Sequence, residues 1–291
     1  MKHGVTKLIG AWRQLNIPMM TGMMLLVVLV CAACSRADEG DVQIVGAKAP
    51  RYRTQINVPP PDYRVLLRQP VLAAEGPTYR PATAAVPVDA KDIGELWIAR
   101  LQGRRALLGS GVVGKGRDGP VVSIDTGLTE SEFDEWTSEN RWSAPRHIRL
   151  GFVAPMNLPS VSNDAAHAIR VWPATASRTG LENSALLRGH VELRDGCLFV
   201  GEYGQPANKL AVLHAAIRLD VDPDGYLIFR NRVTGLTLAR LGEEIVWSGP
   251  ATATLGNEAV AALKKACGDA DILPIGSPES RARFLVRYVR S

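Results

Sequence analysis

The chain has 291 residues, with 34 Lys and Arg against 29 Asp and Glu and a net charge of +5. The first 33 residues hold three of the basic residues and no acidic ones, so the remainder is nearly balanced at 31 against 29. That balance excludes a protein-wide basic footprint for nucleic acid.

Residues 1–18 carry Lys2, Lys7 and Arg13 and no acid, the charge pattern of an export signal. The apolar run from Met19 to Ala33 spans about 15 residues, short of the roughly 20 that cross a bilayer. It ends in the small residues Ala32 and Ala33, which a signal peptidase requires. The tetrapeptide Cys31-Ala32-Ala33-Cys34, preceded by Leu29 and Val30, resembles the lipobox of bacterial lipoproteins, although Cys31 stands where that family usually has Leu. The resemblance covers the first 35 residues. It implies a signal peptide over 1–33, cleavage before Cys34, and lipidation of Cys34 with palmitate among its acyl chains. Ser35 in place of Asp implies retention at the outer membrane, with the folded part facing the periplasm.

Residues 34–90 hold eight of the 19 prolines, Pro59-Pro60-Pro61 among them. Proline fixes φ and removes a backbone donor, so this stretch is predicted to be an extended tether with a contour on the order of 150 Å. Tyr52, Tyr63 and Tyr79, each near an arginine, are the residues that would instead dock it on a partner or on the chain's own domain.

A β-rich subdomain with short helices is expected over 91–183. Short apolar runs at Leu96–Ala99, Ala106–Leu108, Val112–Val113 and Val121–Ile124 alternate with glycines and predict short strands. Thr129, with Glu132 three residues on, predicts a capped helix through Phe133 and Trp136. Arg149–Val153 reads as a strand and Ser162–Arg170 as a short helix.

A barrel-like subdomain plus a helix is expected over 184–277. The alternation from Gly189 turns at Asp195-Gly196 and continues through Cys197-Leu198-Phe199-Val200, a hairpin signature. Leu210–Leu219 fits strand better than helix because strands flank it. Tyr226–Phe229, Leu236–Leu241 and Glu244–Trp247 supply three further strands, and a helix from Asn257 through Ala266 would cover the sheet, with Gly268 ending it. The fold class expected is mainly β (α+β), a small antiparallel barrel or curled sheets with a C-terminal covering helix. Residues 278–291 read as a basic, solvated tail.

Cys197 and Cys267, one on a strand and one on the covering helix, are predicted to form a disulfide in an oxidising compartment. The four histidines beyond the signal share no ligand spacing. Two motifs carry chemistry. Asp125-Thr126-Gly127 after an apolar strand has the form of an aspartic-protease loop, but that chemistry needs a second carboxylate, and no second Asp-Thr/Ser-Gly occurs. Asp220, Asp222 and Asp224 with Gly225 copy the first half of a calcium loop, while Asn231 replaces the bidentate Glu; a Pro-Asp-Gly hairpin turn explains the same residues.

The function expected is a non-enzymatic binding or assembly module of the cell envelope, held to the membrane by its N-terminal lipid and meeting an envelope protein or polymer. Its docking patch is expected near Trp142, Trp172 or Trp247. The alternatives are a retropepsin-like hydrolase acting through Asp125, its second carboxylate supplied by homodimerisation, and a calcium-dependent module using Asp220, Asp222 and Asp224. No cofactor is expected.

Overall fold

Apolar side chains gather into three clusters, and the sheets follow from them. The computed structural model describes residues 43–44, 57–74, 76–116, 119–175, 178, 182–250 and 257–288. Its strands in chain order are β1 (Gln43–Ile44), β2 (Thr78–Arg80), β3 (Leu107–Gly116), β4 (Gly119–Thr126), β5 (Arg149–Phe152), β6 (Val171–Trp172), β7 (Glu182–Arg194) and β8 (Cys197–Glu202). They continue with β9 (Lys209–Leu213), β10 (Ile217–Val221), β11 (Leu227–Asn231), β12 (Thr237–Arg240), β13 (Ile245–Pro250), β14 (Ile272–Ile275) and β15 (Glu279–Ser280). The helices are α1 (Tyr63–Leu66), α2 (Ala90–Gly103), α3 (Glu130–Glu139), α4 (Asn163–Ala166), α5 (Asn257–Cys267) and α6 (Arg281–Tyr288).

The first layer is a sheet in the order β2-β5-β4-β3, under α2 and α3. Helix α2 aligns Ile93, Trp97 and Leu101 at i, i+4 and i+8, so one face enters the core. Helix α3 starts at a full capping box: Thr129 Oγ1 accepts from Glu132 N–H at 3.2 Å and Thr129 N–H donates to Glu132 Oε2 at 2.7 Å. Trp97, Phe133, Trp136 and Phe152 fill the space between, in mostly edge-to-face contacts with centroids 5.5–6.2 Å apart. Burying each such ring stabilises the layer by about 2 kcal/mol.

The second layer is the six-stranded sheet β14-β9-β8-β7-β13-β15, antiparallel apart from the β14/β9 pair. One face packs on the three-stranded sheet β10-β11-β12 through Val191, Val200, Leu219, Phe229 and Trp247. The other face carries α5, whose Ala259 and Leu263 meet Leu210 and Val212. The Asp195-Gly196 turn has φ of 50° and 79°, as a two-residue hairpin requires, and closes Arg194 against Cys197. Gly189 sits where β7 and β8 come close: a Cβ there would overlap Gly201 O and lie 2.8 Å from Trp247 Cη2.

The fold is mainly β with a C-terminal covering helix, and its sheets are curled and open instead of closed into a barrel. Several expectations are corrected. Residues 96–99 lie within α2, because the helical period of Ile93, Trp97 and Leu101 outweighs the short apolar run. The runs at 106–108 and 112–113 fuse into the single strand β3. Ala165, Ile169, Trp172 and Ala174, expected in the first subdomain, pack in the core of the second.

The expected tether is, from Asn57 onward, part of the folded body. Asn57 and Val58 N–H donate to Gly242 O at 3.1 and 3.3 Å, Leu72 N–H donates to Thr234 O at 2.9 Å, and β2 joins a sheet. Segment 57–74 is therefore a strap across β10–β12 and the turn after them. The expected tail likewise folds, as β15 and α6, with Arg283 buried and bonded to Glu279 at 2.7 Å.

Candidate functional site

The strap, the β12–β13 turn and α6 enclose a cleft of about 350 Å³. Val58, Pro59 and Pro60 form one wall, and Arg281, Ala282 and Leu285 form the other. Asp62 caps α1 by accepting from Arg64 N–H at 3.0 Å, and the cap turns Tyr63 inward. The Tyr63 hydroxyl donates to Glu243 Oε1 at 3.0 Å, and Arg240 N–H donates to the same oxygen at 2.9 Å. Burial pushes the Glu243 carboxyl above the usual carboxylate range, against hydrogen bonds that favour its ionised form. Burial beside Glu243 also raises the Tyr63 phenol, so it stays a donor. The Ser280 hydroxyl faces both residues and completes no well-formed hydrogen bond among the described residues.

Arg240 locks the floor to the strap. Its Nε donates to Asp222 Oδ2 at 2.7 Å, its Nη2 pairs with Asp224, its Nη1 donates to Pro59 O at 3.1 Å, and its guanidinium lies 4.2 Å over the Tyr226 ring. Burial opposes the Arg240 charge, and the two aspartates outweigh it, raising its pKa. At the rim, Glu244 pairs with Arg188 and lies 3.5 Å from Arg281, and Arg188 stacks 4.4 Å over the exposed Tyr203. The polar floor is sealed, with Glu243 2% and Ser280 0% exposed. A ligand in the cleft would meet proline and leucine walls and the charged rim, so the arrangement suits binding more than proton transfer.

Other sequence-derived candidates fall elsewhere. Cys34 lies outside the described residues. Cys197 and Cys267 are disulfide-bonded, Cα to Cα 5.7 Å, tying β8 to α5. The calcium reading of Asp220, Asp222 and Asp224 is corrected: Asp222 and Asp224 are held by Arg240, and Asp220 by Arg218 and Arg230 at 3.3 Å each. Asp222 Oδ1 also accepts from Asp224 and Tyr226 N–H, closing a hairpin turn, and Asn231 Oδ1 caps its own turn at Val233 and Thr234. Among the described residues no three His, Cys, Asp or Glu side chains gather to hold a metal ion.

Asp125 is the next-to-last residue of β4, paired with Gly151, and its Oδ1 is buried without a hydrogen-bond partner among the described residues. A Cβ at residue 151 would overlap that oxygen and lie 3.0 Å from Tyr79 Cε1, so a larger residue there forces Asp125 to shift. His190 Nε2 bonds Glu192 at 2.9 Å; His214 accepts from Ala216 N–H at Nδ1 and donates from Nε2 to Arg178 O. The tryptophan patch is also corrected: Trp172 and Trp247 are buried, and Trp142 packs edge-on against Trp136. Sequence reasoning missed Glu243 and Arg240, while Tyr63, one of the three tyrosines expected to dock the segment on a partner or on the chain's own domain, does dock on it. The only local signal was Tyr63 beside Arg64 after three prolines.

The fold is thus a disulfide-bonded, mainly β domain with a strap-walled cleft. No protein family, no curated protein and no solved structure matches this chain significantly. Among the described residues no helix is long and apolar enough to cross a membrane.

Proposed function

We propose that the chain is an envelope lipoprotein, cleaved before Cys34, acylated there, and acting at the outer membrane as a non-enzymatic binding or assembly module. The observation that carries this reading is the Cys197–Cys267 bridge, because structural disulfides persist in oxidising compartments. It agrees with the basic, apolar and small-residue order of residues 1–34. The partner surface in this reading is the strap-walled cleft, whose prolines, Leu285 and arginine–carboxylate rim suit an extended peptide or polymer strand. Nine peptide units separate Cys34 from the first paired residue, Gln43, a contour of about 30 Å. An anchor at Cys34 would therefore keep β1 within that distance of the lipid. Cys34→Ala tests the anchor. The variant should lose palmitate labelling and membrane association together, and a variant that keeps both contradicts the reading.

A further inference from the structure

Away from the cleft, arginines gather around residues 154–160, the segment between β5 and α4. Arg178 Nη1 donates to Ala154 O, Arg232 Nε to Leu158 O at 2.8 Å, and Arg218 Nη1 to Pro159 O at 3.3 Å. Arg232 Nη1 also donates to Ala215 O at 2.9 Å, which fixes its guanidinium between two stretches of backbone. On the neighbouring ladder Arg218 stands directly opposite Arg230. Like charges so placed repel, and here the carboxylate of Asp220 bridges them.

Charge bookkeeping leaves a surplus. Arg178, Arg218, Arg230 and Arg232 share Asp220 as their one carboxylate ion-pair partner among the described residues. Glu132 acts on Arg178 electrostatically, but its Oε2 is already engaged by Thr129. Backbone carbonyls orient a guanidinium without neutralising it. Burial first, and then the neighbouring Arg178 and Arg218 charges, lower the Arg232 pKa; burial likewise lowers that of Arg178. Each guanidinium keeps N–H donors beyond those used on carbonyls, in a half-buried setting where charge-assisted hydrogen bonds are strong.

We propose that Arg178, Arg218 and Arg232 form a binding site for a phosphate group. Inorganic phosphate or a phosphate monoester offers three or more terminal oxygens and up to two negative charges to the three guanidiniums, more than one carboxylate brings. The site would relieve the repulsion among the arginines and is separate from the cleft, so it does not depend on the cleft's role. Two sources supply such a group, free inorganic phosphate and a phosphomonoester lipid headgroup.

The test is calorimetric titration of the full chain in neutral detergent with inorganic phosphate at constant ionic strength, with chloride as the control. Saturable binding is expected, weakened at least roughly tenfold by Arg178→Gln and less by Arg178→Lys, with the melting temperatures of both variants checked. Floatation with phosphatidic acid or phosphatidylcholine vesicles separates the sources. Arg178-dependent retention on phosphatidic acid that phosphate competes away assigns a headgroup, and retention independent of Arg178, or no retention, alongside Arg178-dependent phosphate binding assigns the free ion. Absence of saturable phosphate binding by the unmodified chain, or equal binding by Arg178→Gln, overturns the proposal. Neither result bears on lipidation at Cys34.

Discussion

Gly151→Ala, alone and with Asp125→Ala, probes the one buried carboxylate oxygen that the sequence marked as catalytic. The added methyl group would overlap Asp125 Oδ1 and lie 3.0 Å from Tyr79 Cε1, inside the β2-β5-β4 ladder. Overpacking of this kind destabilises by about 1–3 kcal/mol. Asp125→Ala removes an Oδ1 with no hydrogen-bond partner among the described residues, so it should be neutral or stabilise by about 1 kcal/mol. In the double variant the new methyl group occupies vacated space, and an interaction energy of roughly 1–2 kcal/mol should rescue most of the loss. Urea unfolding followed by tryptophan fluorescence reads all four chains, since Trp97, Trp136 and Trp142 share this core. Additive effects, or an Asp125→Ala variant destabilised by more than about 2 kcal/mol, would refute this account of the site.

Further outcomes follow from the same geometry. Reduction of the Cys197–Cys267 bridge, which spans 70 residues of sequence, should lower stability by about 4 kcal/mol in the chain-entropy model, read as a fall in the urea midpoint with dithiothreitol. Arg240→Ala leaves Asp222 buried and uncompensated and frees the strap at Pro59, so a loss of about 3 kcal/mol is expected with faster proteolysis near residues 57–74. Glu243 faces Tyr63, Ser280 and Arg240, Arg283 acts on Tyr63 beside it, and burial raises the Glu243 pKa. The native state then holds a proton that the unfolded chain releases near pH 4.5, so stability falls as pH rises from there through the raised native value. Glu243→Gln should lack that decline, and identical pH profiles for the two chains would contradict it.

Elements specified by local chemistry were legible in the sequence. The Asp195-Gly196 turn, the Thr129–Glu132 capping box and the helix ending at Gly268 each rest on a residue whose conformation or hydrogen bond acts within a few positions. The stretch from Leu210 to Leu219 resolves into β9 and β10 about a turn at His214, where hydrogen bonds at both ring nitrogens replace a glycine or proline signal. What was illegible depends on partners far along the chain. Proline density reads as a tether, yet Tyr63 reaches its partner 180 positions away and Arg240 holds Pro59 across 181. The arginine-rich end reads as solvated until Glu279, Arg283 and Tyr63 are seen to face one buried space. The same distance dependence explains why acidic spacing suggested calcium: three arginines, none adjacent to the aspartate they pair with, occupy the oxygens.

The most direct test of the envelope reading is the intact mass of membrane-extracted protein, taken with alkylation before and after reduction. A chain beginning at triacylated Cys34, with Cys197 and Cys267 alkylated only after reduction, is the expected result. A mass that retains residues 1–33, with both thiols alkylated from the start, would contradict the anchor, the oxidising compartment and the partner class together.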